Sequence, residues 1–329
     1  MTEPLRTAVA LVVFNRPQAT AMVFERIRQA RPRALMVIAD GPREGRQGEA
    51  DACLRVRQIV EHVDWPCEVL KNYSDANMGC GARVASGIDW VFQHVEQAII
   101  LEDDCLPDPT FFRFCEELLE RYRDEERVMQ ISGSNFLFGG RATEESYYFS
   151  RYPLCWGWAT WRRAWRHFDF EMQTWKANRD GCLARFTHRS ERAFWEYGWD
   201  SIAQRRLDTW DYQWALAFLS ANGLAVTPSA NLVTNVGFGS DATHTRSRLL
   251  AMRPAAGAME FPLRHPVHLE ANREADEFTA RRLFYKRSAL GKATEIVRRR
   301  LLATVSHVRG RGYKSLEVPP VSTSSVRSK

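Results

Sequence analysis

The amino-acid sequence predicts an α/β protein with a mostly parallel central sheet flanked by helices. Apolar, β-forming runs alternate with helical patterns four times within about the first hundred residues, the order that parallel βαβ units require. The runs are continuously apolar, as strands covered on both faces must be. A chain of 329 residues with 45% hydrophobic content is long enough to bury such a core.

Thr7 to Phe14 is the first predicted strand, and Pro17 opens a helix through Ala30. A second strand over Ala34–Ala39 ends in Asp40-Gly41-Pro42. The helix after it carries apolar positions at Leu54, Val56, Ile59, Val60 and Val63. A third strand is expected near Cys67–Leu70, and after another helical segment Gln97 to Leu101 forms a strand that ends in acids. In such sheets ligands gather beyond the carboxyl ends of the strands, which here carry Asn15-Arg16, Asp40 and Glu102-Asp103-Asp104. The dinucleotide fingerprint G-x-G-x-x-G and the P-loop are both absent.

The second half has a different composition. Nine of the eleven tryptophans fall between Trp156 and Trp214, so this half is expected to hold most of the aromatic surface. Its helical stretches are expected to break at Gly198, Gly223 and Gly237-Phe238-Gly239. Residues 281–329 hold thirteen Lys/Arg against two acids, leaving 33 basic and 38 acidic residues in 1–280. The basic pI thus belongs to the tail, and the acidic body argues against nucleic acid as the main substrate. The division expected is a domain over 1–280, with halves at 1–135 and 136–280, followed by a basic amphipathic helix and a disordered tail over 281–329. Such a helix can lie on an anionic membrane surface or remain solvated.

Seven cysteines without C-x-x-C spacing are expected to be free thiols. The early apolar run is too short to span a bilayer and lacks a cleavage signal, so the expected location is cytoplasmic, with peripheral contact at the inner membrane face through the tail.

Three consecutive carboxylates at Glu102-Asp103-Asp104, closing a buried strand, repel one another unless a cation neutralises them. Hard ions such as Mn²⁺ or Mg²⁺ use one or two carboxylates and a substrate diphosphate in this way. The alternative is a solvated acidic turn ahead of the helix after Pro109.

With these residues in order, the sequence resembles the nucleotide-diphospho-sugar transferases of the GT-A fold, bacterial family-two-like, with likeness to the N-acetylglucosaminyltransferase I branch. The resemblance spans roughly residues 5–250 and rests on Asn15-Arg16, Asp40, Glu102-Asp103-Asp104 with Pro109-Thr-Phe-Phe112, Trp156-Gly-Trp158, Trp210-Asp211 and Gly237-Phe-Gly239. It implies a metal-dependent, inverting hexosyl- or N-acetylhexosaminyltransferase acting on a glycan, glycolipid or glycoprotein acceptor. Asn15 and Arg16 would lie at the nucleotide or its phosphates, and Asp40 at the base, favouring uridine. Glu102 would contact the donor sugar, Asp103 the ribose and Asp104 the metal. Asp211 would be the catalytic base, although the family's W-D-D-W stretch is one residue shorter than Trp210 to Trp214, which keeps Asp200 in play. An ordinary first-turn helix acid is the other reading of Asp211.

His244 is either a second metal or diphosphate ligand or a surface residue. Asn77-Met-Gly79-Cys-Gly81 with Arg83 is either a phosphate-binding loop or a simple turn. Most tryptophans are expected in the core, with Trp156 and Trp158 beside the acceptor. The rival to an enzyme is a non-catalytic nucleotide-sugar or carbohydrate-binding protein on the same fold.

Overall fold

A computed structural model describes residues 4–140, 142–237 and 255–285. By internal contacts the chain divides into Met1–Tyr285 and Lys286–Lys329, and all described residues lie in the first unit. Of the tail expected over 281–329 only residues 281–285 are described; the rest of it, His244, and Phe238 and Gly239 of the expected turn lie outside the described residues.

In chain order the elements are β1 (Ala8–Val13), α1 (Pro17–Ala30), β2 (Ala34–Ala39), α2 (Glu49–Glu61), β3 (Glu68–Tyr73), α3 (Cys80–His94) and β4 (Gln97–Glu102). Then come β5 (Cys105–Pro107), α4 (Thr110–Arg121), β6 (Val128–Ser132), β7 (Tyr147–Ser150), β8 (Trp158–Trp161) and α5 (Arg162–Trp165). The remainder is α6 (Gln173–Ala177), α7 (Arg179–Leu183), α8 (Arg189–Ala203), α9 (Asp211–Ser220), β9 (Leu224–Pro228), β10 (Val233–Asn235) and α10 (Arg273–Leu283). The boundary expected at residue 280 falls inside α10.

Eight strands form one sheet in the order β3-β2-β1-β4-β8-β6-β9-β7. The pairs β3-β2, β2-β1, β1-β4 and β6-β9 are parallel, and β8 and β7 run against the rest. This is the mostly parallel, Rossmann-like architecture expected of the GT-A fold. Both halves share the sheet, because β8 of the second half is hydrogen-bonded between β4 and β6.

Alternation along β1 assigns the two faces. Val9, Leu11 and Val13 pack with Val23 and Ile27 of α1, Val56 and Val60 of α2, and Phe111, Phe114 and Leu118 of α4. Ala10 and Val12 face Val84, Ile88 and Val91 of α3 and Trp214 and Phe218 of α9. A separate cluster joins Trp175, Trp195, Trp199 and Phe284 around α8.

Three expectations need correction. Leu54 is 56% exposed, and the buried stripe of α2 is Cys53, Val56 and Val60. The third strand starts one residue later than expected and runs to Tyr73. Gly198 does not break a helix: α8 passes through it, and the glycine leaves room for the Tyr212 ring, with which a Cβ would collide. All seven cysteines are free thiols. No helix among the described residues is long and apolar enough to cross a membrane.

Candidate functional site

Strand register brings the polar strand ends together. Val12 pairs with Glu102 and Val13 with Ala39, so Arg16, Asp40 and Glu102–Asp104 emerge at one edge of the sheet. That edge forms one wall of a cavity of about 760 Å³. Asp211, at the start of α9, lines it too, and Phe136, Tyr152, Trp156, Phe194, Trp195 and Phe284 supply aromatic rings to its lining.

Asp40 is buried. Its Oδ1 accepts the N–H groups of Gly41 and Met78, each at 2.9 Å, and its Oδ2 accepts the Asn77 amide at 2.8 Å. Burial raises its pKa against these bonds. Asp40 thus fixes the loop before α3 and retains acceptor capacity on Oδ2. Arg83 stands nearby, buried, its Nη2 donating to Asn72 and its Nε without a partner among the described residues.

Asp103 accepts the Phe14 N–H at 3.1 Å and Arg16 Nη1 at 3.0 Å, while the same guanidinium nitrogen lies 2.9 Å from Asp104 Oδ2. β5 pairs with β10 so that Asn235 stands opposite Cys105, and its amide donates to Asp104 Oδ1 at 3.1 Å. A Cβ on Gly237 would collide with the Asp104 carboxylate, so this close approach requires glycine. Glu102 has no hydrogen-bond donor among the described residues. Burial, then the charges of Asp104, Asp103 and Asp211, push its pKa up to about 8.

Asp211 is the first residue of α9 and is exposed, and the Thr209 hydroxyl donates to it. Trp210 and Trp214 lie in the core beneath it. The helix-dipole reading and a place at the cavity therefore coincide.

Other predicted residues lie elsewhere. Asn15 does not line the cavity; its amide donates to Glu49, which also binds Arg43. Asp200 also stands off the cavity, because Trp175 Nε1 at 3.1 Å and Arg179 Nη2 at 3.1 Å hold it on the outside of α8. Trp158 is core, 1% exposed and stacked on Trp210 at 5.5 Å, so it cannot be an acceptor platform. Spacing of two would put Trp156 and Trp158 on one strand face, but Gly157 at φ +62° turns the chain between them. Trp156 remains at the cavity, beside Phe136.

The loop for which phosphate binding and a simple turn are the two readings holds a carboxylate of the chain itself. The Cys80 and Gly81 N–H groups donate to the two oxygens of Asp208, each at 2.9 Å. Asp208 was not anticipated, and neither was Asn235.

No three His, Cys, Asp or Glu side chains among the described residues converge as a metal-binding group. The donor set nonetheless fits a divalent ion. Among the described residues the carboxylates of Glu102, Asp103 and Asp104 outnumber the Arg16 guanidinium paired to Asp103 and Asp104, and such ions need only one or two carboxylates when phosphates complete the shell.

No family model and no curated protein matches this sequence. Among solved structures, the chain is similar to a mannosyltransferase, PcManGT, from Pyrobaculum calidifontis in complex with GDP-Man and Mn²⁺. Identity is 12% and the TM-score 0.36, over 67% of this chain and 70% of that one. It is also similar to a UDP-glucose pyrophosphorylase complexed with UDP-glucose, at 11% identity and a TM-score of 0.26, over 44% of this chain. The chain spans 62% of the pyrophosphorylase's length.

Proposed function

We propose that this chain is a metal-dependent, inverting glycosyltransferase that moves a sugar from a nucleotide-diphosphate donor, a UDP-sugar by preference, to a glycan, glycolipid or glycoprotein acceptor. The observation that supports this reading is that Asp211 lines the same cavity as the strand-end carboxylates Glu102 to Asp104, near enough for its charge to bear on Glu102. Bound Mn²⁺ or Mg²⁺, held by Asp104, would supply Lewis-acid stabilisation of the charge on the departing diphosphate. Asp40 accepts a hydrogen bond from the base through Oδ2, with Arg83 beside it. Arg16 holds Asp103 and Asp104 in place and offers positive charge towards the phosphates. Asp211 takes the proton from the attacking hydroxyl as the anomeric carbon becomes oxocarbenium-like, and a single displacement inverts that centre. The aromatic wall offers flat faces to an acceptor sugar.

Thermal shifts against uridine, guanosine, cytidine and thymidine diphosphates, with and without Mn²⁺, test this reading. The expected result is metal-dependent stabilisation, strongest with uridine diphosphate and lost in Asp104→Ala. No stabilisation by any nucleotide would sink the reading. Binding that is accompanied by no transfer, and is indifferent to Asp211→Asn, would identify a non-catalytic binding protein instead.

A further inference from the structure

We propose that Asp208 is a positioning residue for the transfer reaction: its carboxylate clamps the segment before α9 onto the N-terminus of α3 and thereby sets where Asp211 stands. The proposal rests on the role given to Asp211 above and adds what holds it there.

Three features of the structure converge on this carboxylate. Its Oδ2 accepts the Cys80 N–H and its Oδ1 the Gly81 N–H, each at 2.9 Å, across 128 and 127 residues of chain. α3 has no side-chain cap at its own N-cap residue, Gly79, so Asp208 satisfies first-turn amides that are otherwise orphaned. Gly79 and Gly81 are shaped to this contact, since a Cβ on Gly79 would lie 2.6 Å from Oδ2 and one on Gly81 2.7 Å from Oδ1. A carboxylate at a helix N-terminus gains from charge-assisted bonds and from the helix dipole.

Only Thr209 and Trp210 separate the clamp from Asp211. Trp210 is 3% exposed and stacked on Trp158, and the Thr209 hydroxyl donates to the Asp211 carboxylate. The segment is thus pinned at Asp208, anchored at Trp210 and tethered at Thr209. Because Asp208 fills the anion position at α3, the donor phosphates are not expected there.

The test uses the full chain and three variants, Asp208→Ala, Asp208→Asn and Gly81→Ala. Hydrogen exchange, affinity for uridine diphosphate with Mn²⁺, and kcat for transfer from a UDP-sugar are measured for each. In Asp208→Ala, exchange at residues 80–81 and 207–214 should quicken about tenfold or more, as expected for loss of bonds to a charged group. Affinity for uridine diphosphate should be unchanged while kcat falls about 10²-fold, the cost of a misplaced catalytic group. Asp208→Asn keeps one accepting oxygen and should recover part of the loss, whereas Gly81→Ala should reproduce it with Asp208 intact. Unchanged exchange at 207–214, an unchanged kcat, or tighter binding of uridine diphosphate in Asp208→Ala would each overturn the proposal, the last by showing that the carboxylate competes with phosphate. If the wild-type chain neither binds uridine diphosphate nor transfers sugar, the functional reading fails separately, and the exchange data still decide whether the clamp exists.

Discussion

The two walls of the cavity are held in place by different forces. On one, carboxylates at the ends of β2 and β4 are positioned by strand register and tied by donors from Met78, Phe14, Arg16 and Asn235. On the other, rings from α8, the loops before β8 and Phe284 just after α10 are positioned by packing against one another, as where Trp195 meets Trp199 at 5.3 Å and Phe284 at 4.9 Å. The first wall concentrates charge and the second excludes water. A polar wall can lose a functional group and keep its shape, whereas an aromatic wall that loses a core ring loses shape first.

Substitutions can break or sharpen that contrast. The largest functional effect is expected from Asp211→Asn, which keeps an acceptor for the Thr209 hydroxyl but removes the base. Transfer should fall about 10²- to 10⁴-fold with the melting temperature unchanged, as measured by steady-state rates and calorimetry. Trp214→Ala should do the reverse, costing about 3–5 kcal/mol in urea unfolding because the ring is fully buried among Trp158, Trp165 and Phe218.

Asp276 gives a smaller effect with a definite pH dependence. Burial pushes its pKa up to about 6, with Ser150, the Arg151 N–H and guanidinium, and Glu191 facing it. The folded state therefore holds this proton more tightly than the unfolded chain does. The resulting stability is present below the unfolded pKa and is lost as pH rises through about 6, an effect of about 1–3 kcal/mol. Urea titrations from pH 4 to pH 7 should show this decline in the wild-type chain and a flatter profile in Asp276→Asn. The smallest stability effect, about 1 kcal/mol, is expected for Trp156→Ala, whose ring is only partly buried; a raised acceptor KM would mark the ring as a ligand contact. A large loss of stability there would erase the distinction between cavity ring and core ring.

Strand ends were legible in the sequence because period and register are backbone properties. Asp40 and Glu102 to Asp104 needed only the apolar runs before them to be placed at one edge. Asn15 sits at such an end too, but its side chain turns aside to Glu49, and strand period does not determine side-chain direction past the last pair. The tryptophans were harder, since an indole spacing of two says nothing about a left-handed glycine between the rings. Gly198 showed the same limit: a helix-weakening residue is retained where Tyr212 leaves no room for a Cβ. Asp208 could not have been found by local pattern at all. Its partners are more than a hundred residues away, and the only hint was the pair Gly79 and Gly81.

Gln130 is buried within the polar centre of the tryptophan-rich core. Its Oε1 accepts the Trp214 indole N–H at 2.7 Å, while its Nε2 donates to Ser132 at 2.8 Å and to the Leu154 carbonyl at 2.9 Å. All three partners agree on one orientation of the amide. The Trp214 indole proton is therefore a built-in spectroscopic reporter: shielded from solvent and in a short hydrogen bond, it should give a slowly exchanging resonance by which the integrity of the layer beneath Asp211 can be followed without any substrate in hand.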